Sequence, residues 1–413
     1  MRYLTLGLFS ILSFVYTISC GQQIDTLLNN RFDSYLNHNL QEKIYVHTDK
    51  NSYLAGEIIW FKVYNVEAFT NISLNGSKIA YVELLDENQK AIFQTKIALA
   101  DGKGNGHIYL SISLPSGNFV LRTYTNWMKN FDTNLYFHKQ LTIYNTLKAD
   151  TSTTINKKVL KPAVQFFPEG GNLVSGLSSK VAFKAVDELG NALAFSGAIV
   201  NDKNDTIVKF NPQQFGLGSF TFLPIANQNY RAYIKPKYGN PFDVTLPTIF
   251  DKGVVMSVST AADSSLKINI QNKLQQLQNY VLFVHSGRKI VYSKTLNADE
   301  LTKEITIPFS KLGDGISHLT LFTEDLQPIC ERLYFKKPSS LLNVLVSTDK
   351  KQFAAREKVN VVIEQNQQQK PVSSNFSISV YETDSLTQSD DIASRLWLTA
   401  ELSGKIENPN WYL

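Results

Sequence analysis

Short runs of alternating residues dominate the pattern of the chain. In residues 58–66, for example, Ile59, Phe61 and Val63 fall on one face of an extended segment. A period of two residues is typical of strands that bury one face. Turn sequences, among them the glycine-rich residues 101–106, separate one run from the next. The pattern therefore predicts an all-β fold class of tandem, immunoglobulin-like or fibronectin-like β-sandwich domains.

The chain length and the number of strands indicate several domains. A chain of 413 residues is too long for one hydrophobic core. The predicted domains are a sandwich at 42–146, a linker at 147–161, sandwiches at 162–250 and 251–337, and an incomplete fourth sandwich at 340–413. Within the fourth, we predict three strands and a helix at Leu342–Ser347, Val359–Glu364, Phe376–Tyr381 and Ile392–Leu402.

The N-terminus carries an export signal. Met1-Arg2 followed by an apolar run to Ile18 predicts a signal peptide at residues 1–21, and therefore an exported protein. Two processing routes fit the sequence. Cleavage after Gly21 satisfies the small-x-small rule, whereas Cys20 would be the lipid attachment site of a bacterial lipoprotein, although such proteins favour leucine at the position of Thr17.

Residues 22–41 have a different period. Their apolar residues recur at a spacing near 3.6 residues, which predicts a short amphipathic helix. We expect this helix to pack on the first sandwich or to space that sandwich from the export site.

One phrase occurs twice. Residues 48–57 recur in degraded form as residues 348–357, and both copies keep Thr-Asp-Lys, an aromatic residue and a glutamate. The second copy has Arg356 in place of Gly56 and, just before the phrase, Ser347 in place of His47. The retained residues are those that a strand entrance needs, and the lost histidine is the one that chemistry would need. We interpret the phrase as the start signal of a sandwich.

Several stretches resemble a known family. Asp49–Val63 looks like the second macroglobulin domain (MG2-like) of the alpha-2-macroglobulin superfamily. Glu42–Lys50, Leu121–Phe131, Phe166–Gly171 and Glu331–Phe335 resemble exported macroglobulin-like proteins of Bacteroidetes, many of which carry a TonB-receptor plug-like domain. The resemblance implies macroglobulin-like sandwiches and a place in the cell envelope. Inhibitor members of the superfamily trap proteases through a thioester, which Cys20-Gly21-Gln22-Gln23 mimics without the required glutamate.

Candidate chemistry is sparse. None of the 6 histidines has a ligand partner at a metal-site spacing, and for His47 with Asp49 a surface hydrogen bond is the favoured interpretation. Glu169, between Pro168 and a glycine pair, is expected to cap backbone amides. The basic residues are scattered among acidic ones, which argues against nucleic-acid binding. We predict no catalytic site, no cofactor, no metal and no enzyme activity.

The best binding candidate is an aromatic segment after a predicted strand. It places Trp127, Met128 and Phe131 beside Asn126 and Lys129, a composition like that of interface hot spots. The alternative is that these aromatic residues fill the seam between the first sandwich and its neighbour.

These observations predict a non-catalytic binding or scaffold protein of the bacterial cell envelope, located in the periplasm or outer membrane. Its partners would be envelope proteins, among them a TonB-dependent outer-membrane receptor, with membrane association through lipidated Cys20 or through the partner. One alternative is an endopeptidase-inhibitor-like macroglobulin protein without the thioester. A second is an envelope enzyme with a site between modules.

Overall fold

A computed structural model describes residues 24–148, 161–262, 264–274, 279–301, 303–339, 342–366, 374–382, 391–402, 404 and 406–413. The predicted signal peptide, Cys20 and most of the predicted linker lie outside these residues. The chain forms two compact units. One contains residues 24–40 and the two sandwiches up to Phe335, and the other contains the first sandwich and the C-terminal residues from Lys336. The predicted all-β fold class of tandem sandwiches with a short N-terminal helix is confirmed.

The first sandwich has two sheets. A three-stranded antiparallel sheet has the order β1-β3-β6, with β1 Glu42–Thr48, β3 Ile58–Glu67 and β6 Lys103–Tyr109. A five-stranded sheet has the order β2-β8-β7-β4-β5, with β2 Ser52–Leu54, β4 Ile79–Leu85, β5 Ala91–Ala98, β7 Gly117–Thr125 and β8 Phe137–Tyr144. The short strand β2 runs parallel to β8. Because alternate residues of both sheets point inward, Ile44, Ile59, Val82 and Leu121 meet in one buried core.

The second sandwich has a core rich in phenylalanine. Its sheets are β14-β11-β9 and β13-β12-β15-β16, with a small pair β10-β17. The strands are β9 Ala163–Pro168, β10 Leu173–Val174, β11 Ser179–Val186, β12 Phe195–Asn201, β13 Thr206–Phe210, β14 Leu217–Phe222, β15 Tyr230–Pro236, β16 Phe242–Thr245 and β17 Ile249–Phe250. Phe166, Phe183, Phe210 and Phe220 pack ring against ring in its centre.

The third sandwich pairs the sheets β18-β19-β22 and β21-β20-β23-β24. Its elements are β18 Val254–Ala261, β19 Ser265–Asn272, β20 Tyr280–Ser286, β21 Lys289–Leu296, a short helix Ala298–Leu301, β22 Ile305–Pro308, β23 Gly315–Thr323 and β24 Pro328–Lys336. Strand β20 is buried on both faces. Tyr280, Leu282 and Val284 enter the sandwich core, whereas Val281 and Phe283 point to the other side.

The N-terminal helix, α1, covers residues 24–38. Its Leu28 packs on Val281 and Phe283 of the third sandwich. Its Asp25 carboxylate accepts a hydrogen bond from the Thr295 backbone N–H at 2.9 Å. The helix is thus amphipathic as predicted, but it packs on the third sandwich and not on the first. The reason is that Val281 and Phe283 form a second apolar face on β20, which the helix covers.

The C-terminal residues contain less sheet than the sequence predicts. Strands β25 Asn343–Thr348 and β26 Val361–Asn366 form an antiparallel hairpin, and no second sheet is present in the described part of 340–413. The strand predicted at Phe376–Tyr381 is wrong, because this extended segment forms no β-ladder. Its serine side chains instead bond to the first sandwich, where Ser377 Oγ lies 2.7 Å from His47 Nδ1.

The predicted C-terminal helix is shorter than expected and belongs to the first sandwich. Helical residues run from Ile392 to Thr399. The Arg395 guanidinium donates to the Tyr136 carbonyl at 3.1 Å, and the buried Lys43 ammonium donates to the Leu396 carbonyl at 2.9 Å. These two cations hold the helix on the sandwich because each donates to a carbonyl on the other side of the contact.

Candidate functional site

The first phrase of the repeat forms a hydrogen-bonded clasp at a strand entrance. The clasp is Thr48, Asp49, Lys50, Tyr53 and Glu57. The Asp49 carboxylate accepts from the Trp60 backbone N–H at 2.9 Å and from the Tyr53 hydroxyl at 2.7 Å. Glu57 accepts from Lys50 Nζ and from the Leu54 backbone N–H, both at 2.8 Å. Burial, followed by the hydrogen bond to Asp49, raises the pKa of Tyr53, so this hydroxyl stays a neutral donor.

The second phrase builds the same clasp. The Asp349 carboxylate accepts from the Asn360 backbone N–H at 3.3 Å, and Glu357 accepts from Lys350 and from the Ala354 backbone N–H. Arg356 adopts φ +61, in the left-handed region that Gly56 occupies with φ +94 in the first copy. In both copies, the aspartate and glutamate carboxylates therefore accept backbone N–H groups, and the lysine pairs with the glutamate. The first copy of the phrase stands at the strand entrance of a sandwich, as interpreted, whereas the second opens a hairpin that has no second sheet among the described residues.

The two other singled-out side chains also serve the fold. His47 bonds to Ser377, and burial followed by the nearby Lys139 lowers the pKa of its ring. Glu169 accepts from the Val258 backbone N–H at 3.0 Å. It binds a backbone amide as predicted, but this amide lies on β18 of the third sandwich and not at the start of its own module. It also accepts from Arg332 Nε at 2.8 Å. Within the described ranges, no three His, Cys, Asp or Glu side chains lie close enough together to hold a metal ion.

The predicted binding segment is a tight turn after β7. We call Asn126–Phe131 the Trp127 turn. Met128 is only 1% exposed and enters the core of the first sandwich, and its backbone N–H donates to Thr125 Oγ1 at 3.1 Å. Trp127 is 41% exposed, and its ring meets Phe131 edge to face at 6.5 Å between centroids. Met128 therefore anchors the turn, while Asn126, Trp127 and Lys129 face outward.

The Trp127 turn adjoins three stacked tyrosines that the sequence did not single out. We call Tyr81, Tyr124 and Tyr136 the tyrosine stack. Ring centroids are 5.5 Å apart for Tyr81 and Tyr124, and 4.6 Å apart for Tyr124 and Tyr136. The Lys129 ammonium lies 4.9 Å from the Tyr81 ring centroid and 5.3 Å from that of Tyr124. This geometry is that of a cation–π contact.

An ion pair fixes the tyrosine stack from the side. Arg122 donates to Glu83 through two nitrogens, at 2.8 and 2.5 Å, and the Tyr124 hydroxyl donates to Glu83 at 2.9 Å. Burial, with the Glu83 carboxylate beside it, raises the pKa of Tyr124 to about 12. Tyr81 lies opposite Tyr124 and Glu83 opposite Arg122. Alternation places these residues on the outward faces of β4 and β7, but only the register of the two strands brings them together.

Comparisons with known proteins bear on the fold. No family model matches the chain, and no curated protein matches it either. Among solved structures, Escherichia coli alpha-2-macroglobulin activated by porcine elastase is 10% identical, with a TM-score of 0.29, over 79% of this chain and 34% of that chain. Dimeric latent PorU from Porphyromonas gingivalis is also 10% identical, with a TM-score of 0.29, over 71% and 33% of the two chains.

A third match is a tetra-tandem repeat of a large adhesion protein, 12% identical with a TM-score of 0.18, over 79% of this chain and 87% of that chain. The chain spans about a third of the alpha-2-macroglobulin that it matches. The chain is a tandem β-sandwich protein, and its structural neighbours include bacterial alpha-2-macroglobulins. The likeness concerns fold alone. Among the described residues, none of the helices combines the length and hydrophobicity needed to cross a membrane.

Proposed function

We propose that this protein is an exported, non-catalytic binding or scaffold protein of the bacterial cell envelope, with macroglobulin-like modules. The observation that carries the proposal is the Trp127 turn beside the tyrosine stack. A partner would meet Trp127 and Lys129 already positioned, because Met128 in the core fixes the turn below them. Rigid aromatic and cationic side chains with a small ordering cost are typical of interface hot spots.

The histidine and carboxylates that the sequence singled out support a non-catalytic role. Asp49, Glu57 and Glu169 each accept backbone N–H groups, and His47 bonds to a serine. A general acid or base must instead be free to meet a substrate proton.

The sequence supports the proposed location and partner. The apolar run after Met1-Arg2 supports export to the periplasm or outer membrane. Membrane attachment would come from a lipidated Cys20 or from the partner itself. The resemblance to plug-associated proteins favours a TonB-dependent receptor as that partner.

The test places a photo-crosslinking amino acid at position 127 and, as a matched control, at position 60. Trp60 is 54% exposed on the opposite sheet of the same sandwich. After irradiation in native membranes, we expect an envelope protein to crosslink at position 127 and not at 60, and Lys129→Ala to weaken that product. Equal, background-level products at both positions would sink the proposal.

A stability measurement separates binding from packing. Trp127→Ala should leave the free energy of unfolding within about 1 kcal/mol of wild type, because much of the ring already meets solvent. Met128→Ala should cost about 2–5 kcal/mol, because it leaves a cavity in the core. If Trp127→Ala lowers the melting temperature by several degrees while crosslinked partners are unchanged, the packing interpretation replaces the binding one.

A further inference from the structure

The C-terminal hairpin exposes apolar residues on the face that its counterpart buries. In β25 and β26, Val346 pairs with Ile363 and Thr348 with Val361. In β1 and β3, Val46 pairs with Val63 and Thr48 with Phe61, which is the same register in the first copy of the repeat. On this face the exposed set is Val344, Val346, Val361 and Ile363 of the hairpin, with Val359 just before β26. Leu345 and Val362 are exposed on the other face.

The first sandwich shows what covers this face. The residues that correspond to the exposed set are buried, with exposures of 0–5%: Ile44, Val46, Ile59, Phe61 and Val63. They share one core with Ala80, Val82 and Leu84 of β4. Strand β4 follows β3 after residues 68–78 and lies in the opposite sheet. A strand of the β4 type is therefore the natural cover of such a hairpin.

The chain carries a matching segment at the matching place. Phe376, Ile378 and Val380 alternate with serines and follow β26 after residues 367–375. Phe376 is 38%, Ile378 62% and Val380 87% exposed, so much of the apolar side of this segment meets solvent. Its serines point the other way, with Ser377 Oγ 2.7 Å from His47 Nδ1 and 2.9 Å from the Tyr64 hydroxyl.

We propose that the apolar face of the hairpin β25–β26 is a docking surface for residues 376–381 of the same chain. In the docked state, Phe376, Ile378 and Val380 cover the hairpin as Ala80, Val82 and Leu84 cover β1 and β3. In the described state, polar ties to the first sandwich hold the segment away. The segment then has two competing conformations. Removing the contacts that hold one conformation shifts the population to the other.

The balance of interactions favours docking once the ties are cut. In the described state, Ser377 bonds to His47 and Tyr64, and the Lys62 ammonium donates to the Asn375 side chain and to the Phe376 carbonyl. These groups are exposed or partly exposed, so each bond replaces a bond to water and contributes little net free energy. Docking removes apolar surface of both segment and hairpin from water, and that gain grows with the area buried. Exposed apolar faces of this kind mark interaction sites in folded proteins.

Amide hydrogen exchange on the full chain tests the proposal. Ser377→Ala with Ser379→Ala, made in a Lys62→Met background, removes the serine ties together with the Lys62 bonds to Asn375 and the Phe376 carbonyl. It should raise the protection of amides in 376–381 and in β26 at least about tenfold. Adding Ile378→Asp should abolish that gain, because a charge cannot enter the docked core. The substitution is harmless in the described state, where Ile378 faces solvent. Ile72→Asp, at a residue 67% exposed in the first sandwich, is the matched control and should change nothing in 376–381.

A direct contact completes the test. In the double serine variant, nuclear Overhauser effects should join the methyl groups of Ile378 to those of Val361 or Ile363. The proposal is overturned if the amides of 376–381 in the double serine variant exchange as fast as they do with Ile378→Asp added.

Discussion

Asp49 and Asp349 hold the same place in two copies of one hydrogen-bond network but differ in their surroundings. Asp49 accepts from Tyr53, whose ring is 2% exposed, and from the Trp60 backbone. Asp349 faces the exposed Asn360, and the aromatic position there is Phe353, which has no hydroxyl. We therefore expect Asp49→Ala to cost about 2–3 kcal/mol and Asp349→Ala less than about 1 kcal/mol.

Urea unfolding of both variants checks this difference. Tryptophan fluorescence monitors the unfolding of Asp49→Ala, and amide exchange in β25 monitors that of Asp349→Ala. If both variants lose the same free energy of unfolding, the clasp acts locally, without help from the buried tyrosine.

Single residues show what the sequence could and could not reveal. Repetition alone indicated that the clasp is structural. A catalytic role would require the histidine, and the second copy has no counterpart of His47. The place of Glu169 before two glycines predicted that it would bind backbone amides, although the amide it accepts, that of Val258, lies on the third sandwich. Its partner Arg332 was not, because 163 positions separate the two residues and only the packing of the second and third sandwiches brings them together.

At the scale of elements, α1 and β20 meet over a histidine. The Phe32 ring centroid lies 4.7 Å from that of His285, and His285 stacks on His318 at 4.8 Å. The His285 ring nitrogen Nδ1 lies 3.0 Å from the Gly287 carbonyl, and His318 bonds to Glu331. Burial first, and then the neighbouring His318, lower the pKa of His285 to about 4.

The lowered pKa predicts a loss of stability in mild acid. The unfolded chain binds a proton near the ordinary pKa of about 6.5, whereas the folded protein resists it down to about 4. Between these values the unfolded state holds more protons, so the free energy of unfolding falls as pH falls, by about 3 kcal/mol in total. Amide exchange in β20 at pH 7 and pH 4.5 should show this loss. His285→Gln should remove most of it, and an unchanged pH dependence in that variant would contradict the assignment.

Most elements were readable because the sandwiches are antiparallel. One face of such a sheet meets solvent, so alternation marks the strands and turn residues separate them. Strand β20 is the exception, since its continuous apolar run is buried on both faces, and the run itself does not show that α1 covers the second. The tyrosine stack was missed for a related reason. It depends on the register of β4 against β7 and on the return of the chain to Tyr136, and neither is encoded locally.

At the scale of the whole molecule, each compact unit carries its own spectroscopic or chemical probe. All four tryptophans, Trp60, Trp127, Trp397 and Trp411, belong to the unit that contains the first sandwich. Cys330 belongs to the other unit and is 6% exposed in the core of the third sandwich. Burial raises the pKa of its thiol to about 12, so it should react with a thiol reagent only when the third sandwich opens.

These probes allow a test of the joint between the second and third sandwiches. Glu169, buried beside Val258, loses its cationic partner in Arg332→Met, and an unpaired buried carboxylate should destabilise that unit by roughly 3 kcal/mol. In a Cys20→Ser background, where Cys330 is the one thiol left, labelling should then accelerate about a hundredfold, since each 1.4 kcal/mol is tenfold. Tryptophan fluorescence should report an unchanged urea transition, because separate cores unfold as separate units.

Arg231→Met, which removes a solvent-exposed pair with Asp243 in the second sandwich, is the control and should leave labelling within about twofold of wild type. A tryptophan transition that moves together with Cys330 labelling would show that the two units unfold as one, and the joint at Glu169 would then not be confined to its own unit.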